Sequence, residues 1–312
     1  MMSLGRSRGR TKRVLSFTVQ ERDAYKIIAP TLLILAVFVY YPSIRTLFYS
    51  LTSLNLRISP RMKFVGLMNY LQALKDSEFW VSTYHTFLMI GIVLPIETAI
   101  GLGGALLLNK TFKGRGIFRV LAILPWMLPP VANGLMWGWI LNGEYGALNG
   151  LLYQMGIISS YKNWLGGAPL MQLFWVCVAQ AWTRYSFVML VLLGGLQSIP
   201  SELYDAATVD GGNVFQCFRY ITFPLLKPSF IIAVMVEFIM IFQMFGIILG
   251  ITGGGTSGRI FNPFTKNLMV FDYELVFRRM DIGFGSTVAY FMFLFSLIIG
   301  MSVIAYMYRE TR

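Results

Sequence analysis

Three ionisable residues within long apolar runs are the first candidates for function in this sequence. Glu97, Arg184 and Glu237 are each surrounded by mostly apolar neighbours. An ionisable side chain inside a membrane is costly, so it usually pairs with another group or lies on a solute path. These residues therefore indicate either an intramembrane site or a contact between helices, and both alternatives are open for each of them.

Residues that support metal binding or acid–base catalysis are scarce. His85 is the single histidine, and the two cysteines, Cys177 and Cys217, are too few for a disulfide framework or a metal site. No pair of acidic residues is clustered within one apolar run. This composition argues against a metal site and against a membrane-embedded enzyme, and His85 is interpreted as a polar residue at a helix end.

The apolar runs themselves predict an all-α polytopic membrane protein. Of the 312 residues, 56% are hydrophobic and 13% are charged, whereas soluble domains carry about 25% charged residues. A run of about 20 apolar residues is long enough to cross the hydrocarbon core of a bilayer as a helix. About six transmembrane helices are predicted, at 27–49, 83–108, 117–141, 170–197, 225–251 and 286–308.

The basic residues indicate how these helices are oriented. Residues 1–26 are polar and basic and lack the apolar core of a signal peptide, so they are predicted to be a cytoplasmic segment ahead of a transmembrane domain at 27–312. The net charge of +12 comes mainly from this segment and from short loops beside the apolar runs, which argues against nucleic-acid binding. Six spans place both termini on the same side of the membrane. Most Lys and Arg residues lie on that side, and loops rich in Lys and Arg are usually cytoplasmic, so both termini are predicted to be cytoplasmic.

A polar stretch between the fourth and fifth runs, "ELYDAATVDGGNVFQCFRYITFPLLKP" (202–228), predicts two short helices. The hydroxyl groups of Ser198 and Ser201 suit a helix start, and Gly211-Gly212 suits its end because glycine adopts the left-handed conformation without strain. The capping-box spacing of Asn213 and Gln216 then starts a second helix. Pro224 is predicted to end that helix, and the fifth span follows.

The first of these helices is suited to binding a protein. It carries the small side chains Ala206 and Ala207, which let another backbone approach closely. It is also acidic at Glu202, Asp205 and Asp210, and anionic lipids on the cytoplasmic surface would repel these carboxylates. Docking into another protein is therefore favoured over binding to the membrane surface.

This stretch closely resembles the EAA loop of the permease subunits of binding-protein-dependent ABC importers. Asp205-Ala206-Ala207 corresponds to the E-A-A of the family pattern, Gly211 to its glycine, and Ile221 to Pro224 to its final I-x-L-P. Asp205 and Phe223 depart from the usual glutamate and leucine. The segments "FVGLMNY", "ILPWMLPPVANGLMW", "LQSIP" and "ITGGGTSG", and the stretch 273–289, are similar to the carbohydrate-importer branch of this family.

The resemblance implies that a coupling loop at about 198–224 connects the spans to a separate ATPase, with 201–224 as the part that makes the connection. The implied coupling residues are Glu202, Asp205, Ala206, Ala207, Asp210, Gly211 and Pro224. The sequence has no phosphate-binding loop of the form G-x-x-x-x-G-K-[ST]. The chain is therefore expected to be a non-catalytic subunit without cofactors of its own, and ATP and Mg²⁺ are expected to bind to the partner.

The resemblance also implies the rest of an importer in a bacterial or archaeal plasma membrane. The expected partners are a second homologous permease subunit, two ATP-binding cassette subunits, membrane lipid and an extracytoplasmic solute-binding protein. The external loops at 50–82, 142–168 and 252–285 are the candidate docking surfaces for the binding protein, and "TGGGTSG" is a candidate for insertion into its cleft.

A sugar is the substrate that the resemblance favours. The residues along a path for a sugar must supply hydrogen-bonding groups and flat apolar surfaces. The candidate path residues are Asn133, Trp137, Gln180, Tyr185, Glu237 and Gln243. Glycerol phosphodiesters and other polyols are further alternatives for the solute. The alternative function is a stand-alone secondary transporter or channel for a polar solute, which predicts an inverted repeat and charged relays that the sequence does not display.

Overall fold

The computed structural model of the chain describes residues 19–166, 169–252 and 263–310. Helices are the regular secondary structure of these residues, with isolated bridges at Thr52–Phe64, Asn55–Ser59 and Asn55–Asp281. This confirms the predicted all-α class. The chain divides into two units, residues 1–48 and residues 49–312. Residues 1–18 of the predicted basic segment lie outside the described residues, as do 253–262, which contain most of "TGGGTSG".

The first predicted span is a helix with a change of hydrogen-bond register. Helix α1 (Val19–Leu35) runs into a π-helical turn (Ala36–Tyr40) and then into α2 (Tyr41–Ser50). Residues Ala24–Ser50 are long and apolar enough to cross a membrane. Pro42 lies just after the π-helical turn, where a residue without an N–H donor is tolerated because the hydrogen-bond ladder already changes there.

The remaining helices form the larger unit. They are α3 (Met68–Lys75), α4 (Ser77–Asn109), α5 (Arg115–Met127), α6 (Pro130–Ile140), α7 (Ala147–Gln154), α8 (Pro169–Gln197), α9 (Glu202–Val209), α10 (Val214–Cys217), α11 (Phe223–Phe242), α12 (Gly246–Thr252), α13 (Leu268–Tyr273) and α14 (Ile282–Glu310). Single π-helical turns follow α10 (Phe218–Thr222) and α13 (Glu274–Arg278), and a 3₁₀ turn (Pro263–Thr265) precedes α13.

Among the described residues, five helices are long and apolar enough to span a membrane, and a sixth span arises if α5 and α6 count together. The five are Ala24–Ser50, Ser77–Asn109, Leu170–Gln197, Val214–Phe242 and Ile282–Ala305. The third predicted span, at 117–141, is broken within its length, because α5 and α6 meet at an angle of 97°. The reason lies in Pro129 and Pro130, which lack N–H donors and force the residue before each of them out of the helical conformation.

The fifth span is displaced from its predicted position at 225–251. The helix already begins at Val214 and ends at Phe242, and residues 243–245 separate it from α12. Helix α12 packs closely on α6 through glycines. A Cβ atom on Gly134 would lie 2.6 Å from the backbone oxygen of Ile247, and one on Gly250 would lie 2.5 Å from the oxygen of Val131. This contact keeps the broken segments together.

The core of the larger unit lies between α4 and α8. Gly101 allows the two helices to approach, since a Cβ atom there would come within 2.7 Å of the Val188 side chain. Phe79, Val176 and Phe242 belong to one buried apolar cluster, and Leu192 to a second. Many apolar side chains on the outward sides of the spans are exposed, as expected for helices that lie in a membrane.

An ion-pair cluster connects the start of α4 to the segment before α14. Lys266 Nζ lies 2.7 Å from Glu78 Oε1 and also pairs with Glu274, and Arg279 lies 2.6 Å from Glu78 Oε2. His85 Nδ1 is 3.1 Å from the backbone oxygen of Lys266. The single histidine therefore supports this cluster from the first turns of α4.

Candidate coupling and solute-path sites

The stretch between α8 and α11 contains the predicted helix, glycine turn and capping box. Helix α9 covers Glu202–Val209, and Gly211 takes the left-handed conformation with φ of +77°. Asn213 Oδ1 accepts a hydrogen bond from the Gln216 N–H at 2.9 Å, and Gln216 Oε1 accepts one from the Asn213 N–H at 2.8 Å. The local hydrogen-bonding pattern predicted from the sequence is therefore confirmed.

Two details of the predicted stretch are wrong. Ser201 makes no side-chain hydrogen bond at the start of α9, and the Ser198 hydroxyl instead donates to the backbone oxygen of Gly195 at 2.8 Å. The second short helix is also not separate, because α10 continues through a π-helical turn into α11 and passes Pro224. The π-helical turn shifts the hydrogen-bond register just before Pro224, so the missing N–H donor does not end the helix.

The candidate coupling residues form an exposed surface. Glu202, Asp205, Ala206, Asp210, Gly211 and Pro224 are exposed, and Ala207 is half-buried. Large apolar side chains project beside them, with 88% of Val209, 88% of Val214 and 74% of Phe215 exposed. The Tyr204 hydroxyl lies 3.0 Å from Thr222 Oγ1 and so ties α9 to the helix that follows. An apolar and acidic surface of this kind is suited to binding a protein.

A concave space lies between the two arms of the loop. A cavity of about 240 Å³ is lined by Ala207, Asp210, Gln216 and Tyr220. Gly212 keeps the arms close, because its N–H donates to the Ala207 oxygen at 2.8 Å and a Cβ atom there would meet the same oxygen at 2.8 Å. The turn is therefore short and well defined rather than a loose connection.

The intramembrane charges form a buried pair with a second carboxyl group nearby. The Arg184 guanidinium donates to both oxygens of Glu237, at 2.7 and 3.0 Å, and Glu237 is 0% exposed. Glu97 is also 0% exposed and interacts electrostatically with both residues. Its two oxygens have no hydrogen-bond partner among the described residues. The planar, bidentate pair satisfies Glu237 directly, as arginine is able to do.

Asn133 and Trp137 come together with α8 at the bend between α5 and α6. Asn133 Nδ2 donates to Thr183 Oγ1. The Trp137 ring centroid lies 6.5 Å from that of Trp175 and 6.0 Å from that of Trp182. Asn133 Oδ1 and the ring N–H groups of Trp137 and Trp175 are buried without a partner among the described residues. Buried polar atoms without a partner beside aromatic rings match the chemistry of a site for a polar solute.

The remaining path candidates lie on α8 and at the break after α11. Gln180 is buried on α8, one turn before Arg184. Tyr185 lines a groove between α4, α5 and α8 instead, and Gln243 is exposed at the break after α11. The sequence interpretation missed Trp175, Trp182 and Thr183. The seven-residue spacing of the two tryptophans, which repeats one helix face, was a signal that could have found them.

A helical chain with these spans and a buried ion pair within them has the architecture of a polytopic membrane protein. Residues 91–312 match the family described as the binding-protein-dependent transport system inner membrane component. The chain belongs to this family and is therefore a membrane-spanning permease component. Among the described residues, no group of three or more His, Cys, Asp or Glu side chains is placed to hold a metal ion.

Comparison with individual proteins agrees with this assignment. The chain is 37% identical over 273 residues to the trehalose/maltose transport system permease protein MalF of Thermococcus litoralis, over 88% of this chain and 89% of that protein. Its fold is similar to that of a chain in a bacterial ABC transporter that imports the acidic polysaccharide alginate (TM-score 0.78, 19% identity, 94% and 97% of the chains). A bacterial alginate transporter in complex with its alginate pentasaccharide-bound periplasmic protein is also similar (TM-score 0.74, 18% identity, 94% and 96%).

Proposed function

We propose that this chain forms half of the translocation path of an ATP-driven importer for a sugar or oligosaccharide delivered by a solute-binding protein. The observation that carries the proposal is the exposed surface of α9, the turn at Gly211 and α10, which projects acidic and apolar side chains away from the spans. A separate ATPase is the partner that this surface would bind. The proposed coupling residues are Glu202, Asp205, Ala206, Ala207, Asp210, Gly211 and Pro224.

The continuity of the helix after the loop supports a coupling role. Because α10, the π-helical turn and α11 form one helix from Val214 to Phe242, a displacement of the loop moves a whole span. The hydrogen bond between Tyr204 and Thr222 connects α9 to this helix, so that α9 moves with it. Closure of an ATPase pair around α9 would in this way tilt α11 and the contacts that α11 makes with α8, including Arg184–Glu237.

Nucleotide chemistry is assigned to the partner subunits. The sequence has no phosphate-binding loop, so ATP and Mg²⁺ would be bound by two ATP-binding cassette subunits. One of them would bind the loop of this chain and the other the corresponding loop of a second, homologous permease subunit. The chain itself would contribute no catalytic residue and no cofactor.

The solute path is proposed to pass the bend between α5 and α6. Asn133 and Trp137 supply polar and aromatic groups there, and Trp175 and Trp182 extend the aromatic surface. Gln180, which is buried on α8, is a further candidate. Sugars combine hydroxyl groups with flat apolar faces, so this pairing of free polar atoms and rings fits them. The names of the similar proteins, which refer to trehalose, maltose and alginate, support a carbohydrate.

The membrane orientation follows from the same proposal. With the coupling loop in the cytoplasm, both termini are cytoplasmic and the plasma membrane of a bacterium or archaeon is the location. The loops at 50–82 and 142–168, which contain α3 and α7, and the segment 263–285 would then face outward and bind the solute-binding protein.

The test is co-purification of the ATPase subunit with the permease pair. Asp205→Lys is expected to abolish it, because the exposed acidic surface becomes basic at its centre. Glu144→Lys is the matched control, since Glu144 is an exposed acidic residue in the turn before α7, outside the coupling loop. Solute transport by the isolated chain in proteoliposomes without the ATPase would contradict the proposal and indicate a stand-alone secondary transporter or channel.

A further inference from the structure

An apolar groove runs between α4, α5 and α8 at the end of these helices that leads to the coupling loop. Its volume is about 710 Å³. Ile100, Gly103, Leu107 and Phe118 are among the apolar residues and glycines that make up most of its lining. Leu107 is 65% exposed, and a Cβ atom on Gly103 would meet no atom within 4 Å. The groove is therefore open along the side of the larger unit and accepts an apolar chain.

Basic residues lie at the loop-side end of this groove and directly after it in the sequence. Lys110 lines the groove directly after the last residue of α4, Lys113 follows in the connection, and Arg115 and Arg119 lie in the first turns of α5. Among the residues that the structure describes, none of these four cations forms an ion pair. Lys110 and Lys113 are exposed. Four positive charges without a carboxylate partner attract an anion to this end.

Two of the cations are held in place by α8. With its amide oxygen directed toward them, Gln197 accepts hydrogen bonds from Arg119 at 2.9 Å and from Arg115 at 3.2 Å. The Nε atoms of both arginines are buried and have no partner among the described residues. A neutral amide orients the guanidinium groups without neutralising them, so their charge is available to a ligand.

The geometry points to a site for an anionic phospholipid, which we propose as the occupant. An acyl chain would fill the groove past Gly103, and the phosphate would lie among Lys110, Lys113, Arg115 and Arg119. The rings of Phe112 and Phe118, with centroids 5.8 Å apart, lie in the groove where the apolar part meets the basic part. Basic pockets between membrane helices at the cytoplasmic surface recognise lipid head groups in this manner.

Other occupants fit these features less well. A sugar needs several hydrogen-bonding groups along its length, whereas apart from Lys110, Thr111 and Tyr185 the groove is lined by apolar side chains and glycines. A helix of the second permease subunit would need acidic residues beside the four cations. An anionic phospholipid combines the required negative charge with an apolar chain in one molecule.

This inference goes beyond the proposed function and uses only its assignment of the loop side as cytoplasmic. Lipid binding requires no ATP hydrolysis, so it is measured on the assembled transporter independently of coupling. A failure of the lipid prediction therefore leaves the coupling proposal intact, and a failure of ATPase co-purification leaves lipid binding to the permease pair measurable.

The first experiment compares ligands on the assembled transporter in detergent by native mass spectrometry. Dioleoyl phosphatidylglycerol is expected to bind at least about tenfold more tightly than dioleoyl phosphatidylcholine, since each cation near the membrane surface contributes about a fivefold factor. Inorganic phosphate is expected not to displace the bound lipid. Equal binding of the two lipids, or displacement by phosphate alone, would overturn the proposal, the second result in favour of a site for a free anion.

The second experiment separates the groove from its basic end. Gly103→Leu is expected to reduce phosphatidylglycerol binding at least about tenfold, because the added side chain occupies the space of two or more methylene groups and blocks the acyl chain. Gly91→Leu is the control on the same helix, where a Cβ atom likewise has open space. Normal lipid binding by Gly103→Leu with a loss of permease pairing would show that the second subunit covers the groove and would overturn the proposal.

The charge test uses the two exposed lysines. The double variant Lys110→Gln/Lys113→Gln is expected to weaken phosphatidylglycerol binding about 25-fold and to leave phosphatidylcholine binding unchanged. Lys63→Gln/Lys75→Gln, which removes two exposed lysines elsewhere in the larger unit, is expected to change neither. Equal effects of the two double variants would contradict a specific site at the end of the groove.

Discussion

The coupling loop and the contact between α6, α8 and α11 present their polar residues in opposite ways. In the loop, Glu202, Asp205 and Asp210 are exposed, and none of them forms an ion pair within the part of the chain that the structure describes. In the interior, Glu237 is fully buried and both of its oxygens are bound by Arg184. The acidic loop residues are therefore available to bind a partner, while Arg184 and Glu237 already bind each other.

This difference decides how each region responds to substitution. An exposed carboxylate stays hydrated when its neighbours change, so its loss alters partner binding and hardly alters folding. A buried carboxylate that loses its partner is neither hydrated nor paired with a cation. Removing that partner therefore destabilises the fold. The loop is thus expected to tolerate changes that abolish coupling, and the interior is expected to tolerate few.

The largest effect is expected from breaking the interior ion pair. Arg184→Leu leaves the Glu237 carboxylate buried without a cation and should lower the free energy of unfolding by about 3–5 kcal/mol. The measurement is thermal unfolding of the purified permease in detergent. The double variant Arg184→Leu/Glu237→Leu should recover most of the stability, and a double variant as unstable as the single one would contradict this account.

A smaller effect is expected where α6 meets α12. Gly134→Ala places a Cβ atom 2.6 Å from the Ile247 oxygen, so the helices must separate, at a cost of about 1–3 kcal/mol. Gly138→Ala on the same helix is the matched control, because its nearest contacts are at 3.7 Å. Equal melting temperatures for the two variants would show that the glycine contact does not hold the bend together.

Substitution of Gly211, in the turn of the coupling loop, separates an effect on stability from an effect on ATPase binding. Gly211→Ala is expected to cost about 1–2 kcal/mol, because φ is +77° and a side chain is strained in that conformation. Gly156→Ala, at a glycine with φ of +71° after α7, should cost about the same. Only Gly211→Ala should reduce ATPase co-purification, and an equal reduction by both variants would attribute the loss to destabilisation instead.

The smallest effect concerns the aromatic contact at the bend. Trp137→Phe keeps a ring but removes an N–H without a partner among the described residues. The loss of one hydrogen bond to the solute, worth about 0.5–1.5 kcal/mol, should raise the transport KM about fivefold without loss of stability. Trp164→Phe should instead lower stability and leave KM unchanged, because the Trp164 N–H donates to Asn149 Oδ1 at 2.9 Å. The reverse pattern would remove Trp137 from the solute path.

Local signals in the sequence predicted much of the loop. The capping box of Asn213 and Gln216 and the left-handed turn at Gly211 each involve residues within four positions of each other. Both features can therefore be predicted from the sequence alone. The hydroxyl cap expected from Ser201 is absent, because Ser201 itself has helical backbone angles (φ −65°, ψ −28°), whereas an N-cap residue is typically extended. The path residues stay predictions: Tyr185 lines the groove between α4, α5 and α8, and Gln243 is exposed at the break after α11.

The sequence by itself determined the all-α class, the approximate positions of the spans and the helix–glycine–helix loop, because each depends on hydrophobicity or on contacts between near neighbours. Only the tertiary structure decided that Pro129 and Pro130 bend the third span by 97° whereas Pro224 leaves its helix continuous. It also decided that Arg184 binds Glu237, 53 residues away. Which carbonyl groups lose a donor, and which charges meet, depends on how the helices pack, and that packing is a property of the whole chain.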